Sequence, residues 1–391
     1  MRPDLNPYAP GSGLRPPAMV GRDAQVHAFD TVVARTGNRL HNRGMVLSGL
    51  RGVGKTVLLN SLRAHADRHG WLTVAIEAKP GELGGRSVRT RLGRELLTAA
   101  RRYNRPGLRE RLASSFASIG SFSASVGVTG ISLGVDVAPG RADSGQIELD
   151  LEEMVEDVAS ALQTEGKGFG IFIDEMQDVD DELLSALLSV QHVAGQQGWP
   201  FYVVGAGLPS LPATLSASRS YAERLFDYHQ IGALARDAAA SALTEPASRL
   251  GVAYTPDAVD ALVGASAGYP YFLQEYGKAV WDLAPDKTID ASDAAVALDV
   301  GRDQLDQGFF PARWDRATPA ERRYLRAMAR DGDGGSGTGE VARRLGIKQA
   351  SLGPARAQLI AKGLIYAPEH GRVAFTVPGM AAFIGRQFGD A

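Results

Sequence analysis

Cysteine is absent from the 391 residues, and lysine is scarce: only 7 of the 42 basic residues are lysine and 35 are arginine. The first absence excludes a disulfide framework, a cysteine-based zinc or iron–sulfur site, and cysteine nucleophilic catalysis. The second makes any lysine inside a binding motif informative. No apolar run approaches the ~18 residues of a membrane span. The first residues carry no apolar signal-peptide stretch, so a cytoplasmic location and no membrane partner are expected. The seven histidines show no metal-ligand spacing. What is present is ordinary for a folded protein: 44% hydrophobic and 22% charged residues, enough to exclude disorder along the whole chain. The length suits two or three domains.

The net charge of −2 hides an asymmetry. Residues 317–391 hold 11 Lys+Arg against 6 Asp+Glu, a balance of +5, so the first 316 residues carry 31 − 38 = −7. A mildly acidic body is therefore joined to a basic C-terminal unit.

Residues 1–20 contain five prolines and read as an extended arm. The patterns predict a helix over 24–35, a buried strand over 45–48, a helix over 57–68 and a strand over 71–76. Strand, glycine-rich turn, helix and strand in that order describe a βαβ unit with parallel strands. In the Ser/Gly-rich residues 113–147, Phe122, Ala124, Val126 and Val128 alternate, and so do Ile131, Leu133, Val135 and Val137 beyond Thr129 and Gly130. The expectation there is a β-hairpin-like insertion. Helices over 151–163 and 181–194 lead into strands over 170–173 and 201–204, with a further strand near 228–231. Residues 236–310 are Ala-rich with helical spacing and suggest a helical lid over 236–316. No internal repeat is evident.

Gly49, Leu50, Arg51, Gly52, Val53, Gly54, Lys55 and Thr56 fill G-x-x-x-x-G-K-[ST] at every fixed position, between a predicted strand and a predicted helix that opens at Val57. Such glycines let backbone N–H groups turn inward around phosphates, and the helix N-terminus adds its positive end. Lys55 is expected to reach the β- and γ-phosphates of ATP, and Thr56 to ligate Mg²⁺. Gly170, Ile171, Phe172 and Ile173 end in Asp174 and Glu175, two carboxylates at the edge where open α/β sheets bind ligands. Asp174 is expected at the Mg²⁺ ion and Glu175 at the attacking water. Asp178, Asp180 and Asp181 suit capping of the next helix.

With both motifs in this order, residues 18–310 resemble AAA+ ATPases, in particular the origin-recognition-complex-like and STAND-related bacterial and archaeal group. The resemblance implies an α/β P-loop NTPase domain over 21–235 that binds ATP with Mg²⁺ and hydrolyses it. Met19, Val20, Gly21 and Arg22 resemble the short motif that packs near the adenine in that group. Gly268, Tyr269 and Pro270 resemble the GxP element of STAND lids, which touches the base. Arg224 falls where the family places an arginine finger, which acts across a subunit boundary in a homo-oligomer. Two departures imply slow hydrolysis. Residues 202–208 offer no polar sensor side chain after the fourth strand, and residues 268–277 contain no sensor arginine.

Thr318, Pro319 and Glu321 form a capping-box pattern, predicting a helix to about Arg330. After a flexible stretch over 331–337, Thr338 is expected to cap a short helix over 340–345, and a third helix to span 351–361. Two short strands flank the turn at 368–371. Three helices and a hairpin resemble a winged helix-turn-helix over 317–388. If it binds double-stranded DNA, Lys348, Gln349, Ser351 and Arg356 are the helix candidates and Arg372 the wing candidate. The competing expectation is a STAND-like signalling protein that holds its nucleotide and uses this unit to bind a protein partner.

Overall fold

The computed structural model describes residues 1–11, 13, 14, 16–79, 86–103, 113–128 and 141–389. The nucleotide-motif half runs α1 (Asp23–Gly37), β1 (Gly44–Ser48), α2 (Lys55–Arg68), β2 (Leu72–Glu77), α3 (Arg86–Arg102), α4 (Ala113–Ser125), α5 (Ile147–Gln163), β3 (Phe169–Asp174), α6 (Asp181–Gln197), β4 (Phe201–Gly207), α7 (Leu211–Ser218), α8 (Ala222–Leu225) and β5 (Phe226–Gln230). The five strands form one parallel sheet in the order β2-β3-β4-β1-β5. β1, β3 and β4 are buried almost throughout, as expected of parallel strands covered on both faces. Period two divides their side chains. Met45 and Leu47 join a core with Phe29, Leu58 and Leu62 of α1 and α2. Val46 faces a second core built from Leu92, Phe122, Met154 and Leu187 of α3 to α6. Because β4 lies between β1 and β3, the two sequence motifs emerge on either side of the end of β4.

The expected hairpin is corrected in part. Residues 113–125 are helical, and the second half of the proposed hairpin, 129–140, lies outside the described residues. Alternation across Phe122, Ala124 and Val126 is also compatible with a helix whose apolar face is Phe116, Ile119 and Phe122, all buried. Ser121 and Ser123 donate to the carbonyls of Ala117 and Ile119 one turn back, at 3.4 and 2.6 Å. The serines are thereby satisfied within the helix.

The stretch expected to form a lid comprises α9 (Arg236–Ser248), β6 (Ala253–Tyr254), α10 (Pro256–Ser266), α11 (Pro270–Leu283), β7 (Thr288–Ile289), α12 (Ala291–Gln304) and the short α13 (Pro311–Trp314). β6 and β7 pair in parallel, a ladder too short for the sequence pattern to reveal. The proline-rich arm is packed onto the lid. The Tyr8 hydroxyl meets Tyr254 at 2.7 Å, and Asn6 donates to the Lys278 carbonyl at 3.1 Å.

The C-terminal unit runs α14 (Pro319–Ala329), β8 (Ser336–Gly337), α15 (Thr338–Leu345), α16 (Gly353–Ala361), β9 (Ile365–Tyr366), β10 (Arg372–Phe375) and α17 (Met380–Phe388). Its strands form an antiparallel sheet in the order β8-β10-β9. The capping box at Thr318 and Glu321 is formed. Two expectations change here. Gly337, not Thr338, caps α15, and the Thr338 hydroxyl instead donates to the Gly371 carbonyl at 2.9 Å. The stretch 331–337 is ordered into a turn and β8, with Asp331 ion-paired to Arg344. Rings stack where this unit meets the lid: Phe310 on Phe383 at 5.1 Å and Trp314 on Phe388 at 4.4 Å.

Candidate functional site

The loop between β1 and α2 turns through two left-handed glycines, Gly52 (φ +83°) and Gly54 (φ +91°), a conformation that penalises any side chain. A Cβ on Gly52 would also lie 2.4 Å from the Tyr269 hydroxyl, so the lid presses directly on this loop. Lys55 opens α2 and is buried. Its Nζ donates to the carbonyls of Gly49 and Leu50 at 2.9 and 2.8 Å. Burial pushes the ammonium down to about 8, partly opposed by the carboxylates of Glu175 and Asp174. An anion beside Lys55 would offset that desolvation.

At the end of β3, the Thr56 hydroxyl donates to Asp174 Oδ2 at 2.6 Å, and the Glu175 amide donates to Asp174 Oδ1 at 3.0 Å. Burial raises the Asp174 pKa, with the Thr56 hydrogen bond opposing it. Glu175 adopts left-handed backbone angles, φ +50° and ψ 44°. Its Oε1 lies 3.5 Å from Arg51 and its Oε2 accepts from Gln177 at 2.8 Å.

These groups line a cavity of about 590 Å³ walled by the nucleotide-motif half, the lid and the arm, within the size range of small-molecule sites. Of the predicted residues, Val20, Arg22, Arg51, Gly52, Val53, Gly54, Lys55, Thr56, Val57, Asp174, Glu175 and Pro270 line it, while Gly21, Gly49 and Leu50 do not. Arg22 ties the loop to the chain after β5 by donating to the Val53 and Gly232 carbonyls at 3.0 and 2.7 Å. The donor set fits ATP with Mg²⁺. A hydroxyl and a carboxylate stand together as hard oxygen ligands, beside a glycine loop, a helix start and the buried Lys55 ammonium.

Two contributions were not legible in the motifs. Arm residues such as Pro10, Gly13 and Leu14 form one wall, and Arg313 of α13 also lines the cavity. Its guanidinium sits 3.8 Å from the Phe309 ring centre and donates to the Phe309 carbonyl at 2.7 Å. Burial lowers its pKa, and Arg51 adds to that. The C-terminal unit also touches the loop: the Arg51 amide donates to the Thr376 carbonyl at 3.2 Å.

The remaining predicted residues lie elsewhere. Arg224 is exposed on α8 and does not line the cavity. Lys348, Gln349 and Ser351 are exposed, whereas Arg356 is half-buried. Arg372 is 3.4 Å from Glu369 and donates to the Gly334 carbonyl at 3.1 Å. The exposed positions along α16 are Gly353, Pro354, Ala357, Gln358 and Ala361, none of them charged. Among the described residues, no group of three or more His, Asp or Glu side chains is arranged to hold a metal on its own, and no helix is long and apolar enough to cross a membrane.

Residues 18–204 match the AAA ATPase domain family. The five-stranded parallel sheet and its two motifs have the P-loop AAA+ fold. Residues 307–384 match a second family, a domain of unknown function named DUF8462, which begins before α13 and so includes Arg313. No curated protein sequence matches the chain. Among solved structures, the chain is similar to the Thermotoga maritima RuvB Holliday junction branch migration motor, at 15% identity and a TM-score of 0.46, covering 93% of this chain and 96% of that one. It is similar to Aeropyrum pernix ORC1 in complex with DNA at 16% identity and a TM-score of 0.45, with 97% and 95% covered. Similarity to C. elegans PCH-2 is weaker, at 12% identity and a TM-score of 0.37, covering 73% and 69%.

Proposed function

We propose that the protein is an ATP-dependent molecular switch whose nucleotide site reports to the C-terminal unit. The observation that carries this reading is the contact between Arg51 and that unit. One residue of the phosphate loop bonds through its amide to Thr376 and faces Glu175 with its guanidinium. ATP would lie between the nucleotide-motif half and the lid, its phosphates on the amides of residues 52–56 and on Lys55, with Arg313 at the same cavity. Mg²⁺, held by Thr56 and Asp174, would neutralise phosphate charge as the terminal phosphoryl group leaves. Glu175 would accept a hydrogen bond from the attacking water and so polarise it. Arg224, exposed on α8, would reach the site of a neighbouring subunit.

In this reading the C-terminal unit acts as a winged helix that meets double-stranded DNA through Lys348, Gln349 and Ser351, with Arg356 and Arg372 in support. A hundredfold change in that affinity requires about 2.7 kcal/mol of coupling between the sites. The second reading is a STAND-like holder of nucleotide whose C-terminal unit binds a protein. It is favoured by the uncharged exposed face of α16 and by the engagement of Arg372 with Glu369. One experiment separates them: the ATPase rate of the full chain with and without duplex DNA, over a range of salt and protein concentration. A DNA-dependent rate, with DNA affinity falling at a log–log slope of about −0.9 per neutralised phosphate, supports the first. A slow rate indifferent to DNA supports the second.

A further inference from the structure

The end of β4 presents Gly205, Ala206 and Gly207, so no polar side chain of that strand is available beside Glu175. The structure accounts for the gap. A Cβ on Gly205 would lie 2.3 Å from Met176 Sδ, and one on Gly207 would lie 2.3 Å from Gln177 Oε1. The room that side chains of β4 would need is filled by the turn that follows Glu175.

Gln177 is held at both ends. Its Oε1 accepts from the Leu208 amide, just past β4, at 3.0 Å. Its Nε2 donates to Glu175 Oε2 at 2.8 Å and to Asp178 Oδ2 at 3.1 Å. The opposite oxygen of Glu175 faces Arg51 at 3.5 Å. One carboxylate oxygen is thus tied to the end of β4, and the other stays on the side of the phosphate loop. Gln177 itself does not line the cavity, whereas Glu175 does.

We propose that Gln177 is the positioning residue for Glu175, fixing its carboxylate against the end of β4 in place of a polar side chain on that strand. The proposal rests on the reading of Glu175 as the group that polarises water. An amide suits this task chemically. Its NH₂ group satisfies two neighbouring carboxylates, and its oxygen accepts from the Leu208 amide across the turn. A glutamate at 177 would keep the acceptor, lose the donor and set a third carboxylate against Glu175 and Asp178. A leucine would lose both ends.

Steady-state ATPase rates and calorimetric ATP–Mg²⁺ affinities of the full chain test this, using Gln177→Glu, Gln177→Leu, Gly207→Ala, the double variant Gln177→Leu/Gly207→Ala, and Glu175→Gln. Gln177→Glu and Gln177→Leu are expected to lower kcat about 10- to 100-fold, the scale of a misplaced catalytic group, with the affinity changed less than about twofold. Gly207→Ala, which adds no charge but collides with Gln177, is expected to lower kcat without weakening ATP binding. The double variant is expected to be no worse than the poorer single one, because both changes break the same link. If Glu175→Gln abolishes turnover while both Gln177 variants keep parental kcat, the positioning role is overturned. A strictly additive double variant, or a loss of affinity and melting temperature in step with kcat, overturns it as well. If Glu175→Gln itself keeps parental turnover, it is the reading of Glu175 that fails. Should Gln177→Leu not fold, the near-isosteric Gln177→Glu carries the same outcomes.

Discussion

Replacing Lys55 by Met separates the binding role of this lysine from its burden on the fold. Burial pushes its ammonium from 10.5 to about 8. That difference corresponds to folding stability on the order of 3 kcal/mol. The sign follows from proton counting. Below pH 8 both folded and unfolded chains hold the proton, and the fold bears the full penalty of a buried cation. Between pH 8 and 10.5 the folded state gives up its proton first, so stability rises with pH. Methionine removes this penalty but leaves the Gly49 and Leu50 carbonyls without their donor, a loss of about 1–3 kcal/mol. The two effects are similar in size, so the variant is expected to stay within about 2 kcal/mol of the parent at pH 7. Its ATP binding is expected to be lost. Denaturant titrations of both proteins from pH 7 to 10.5 provide the assay. The parent curve should gain on the variant curve by roughly 3 kcal/mol over that interval. Added ATP at a hundred times Kd should stabilise only the parent, by about 2.7 kcal/mol. Parallel pH curves would refute the buried-cation argument, and equal ATP binding by both proteins in calorimetry would refute the phosphate-loop assignment.

Three further outcomes are expected. Arg313→Ala removes a half-buried cation from the cavity wall, and fluorescence titration should show ATP affinity weakened about 10-fold while ADP affinity changes less. Gly363→Ala lies outside the cavity, yet its Cβ would come 2.8 Å from the Arg51 guanidinium at a left-handed φ of +62°. It is expected to destabilise the protein by about 1 kcal/mol and to change the ATPase rate measurably, whereas Gly371→Ala, also left-handed but with open space around it, should leave the rate alone. Arg224→Ala should flatten the dependence of specific ATPase activity on protein concentration, if the parent shows one; a parent rate independent of concentration would remove the finger role.

The sequence made the two motif ends legible because their chemistry restricts residue type and order together. A phosphate loop needs Gly52, Gly54, Lys55 and Thr56 in one strand–helix turn, and Asp174 and Glu175 follow a strand that is apolar throughout. Residues 113–125 carry no decisive period because Ser, Ala and Gly are almost neutral between helix and strand, and only burial of Phe116, Ile119 and Phe122 selects the helix. Arg313 carries no local signal. Its place at the cavity depends on how the chain leaves α12, a tertiary matter that periodicity does not encode. The glycines ending β4 read as a missing polar group, and only the three-dimensional approach of Gln177 to Gly207 gives them a purpose.

The central claim is that nucleotide occupancy is felt by the C-terminal unit through the phosphate loop. Amide hydrogen exchange of the full chain, nucleotide-free and with ATP–Mg²⁺, tests it most directly. The account predicts altered protection at Arg51, whose amide bonds to Thr376, and also across residues 362–376, none of which lines the cavity. Protection that changes around the cavity alone, with 362–376 unaffected at saturating nucleotide, would contradict it.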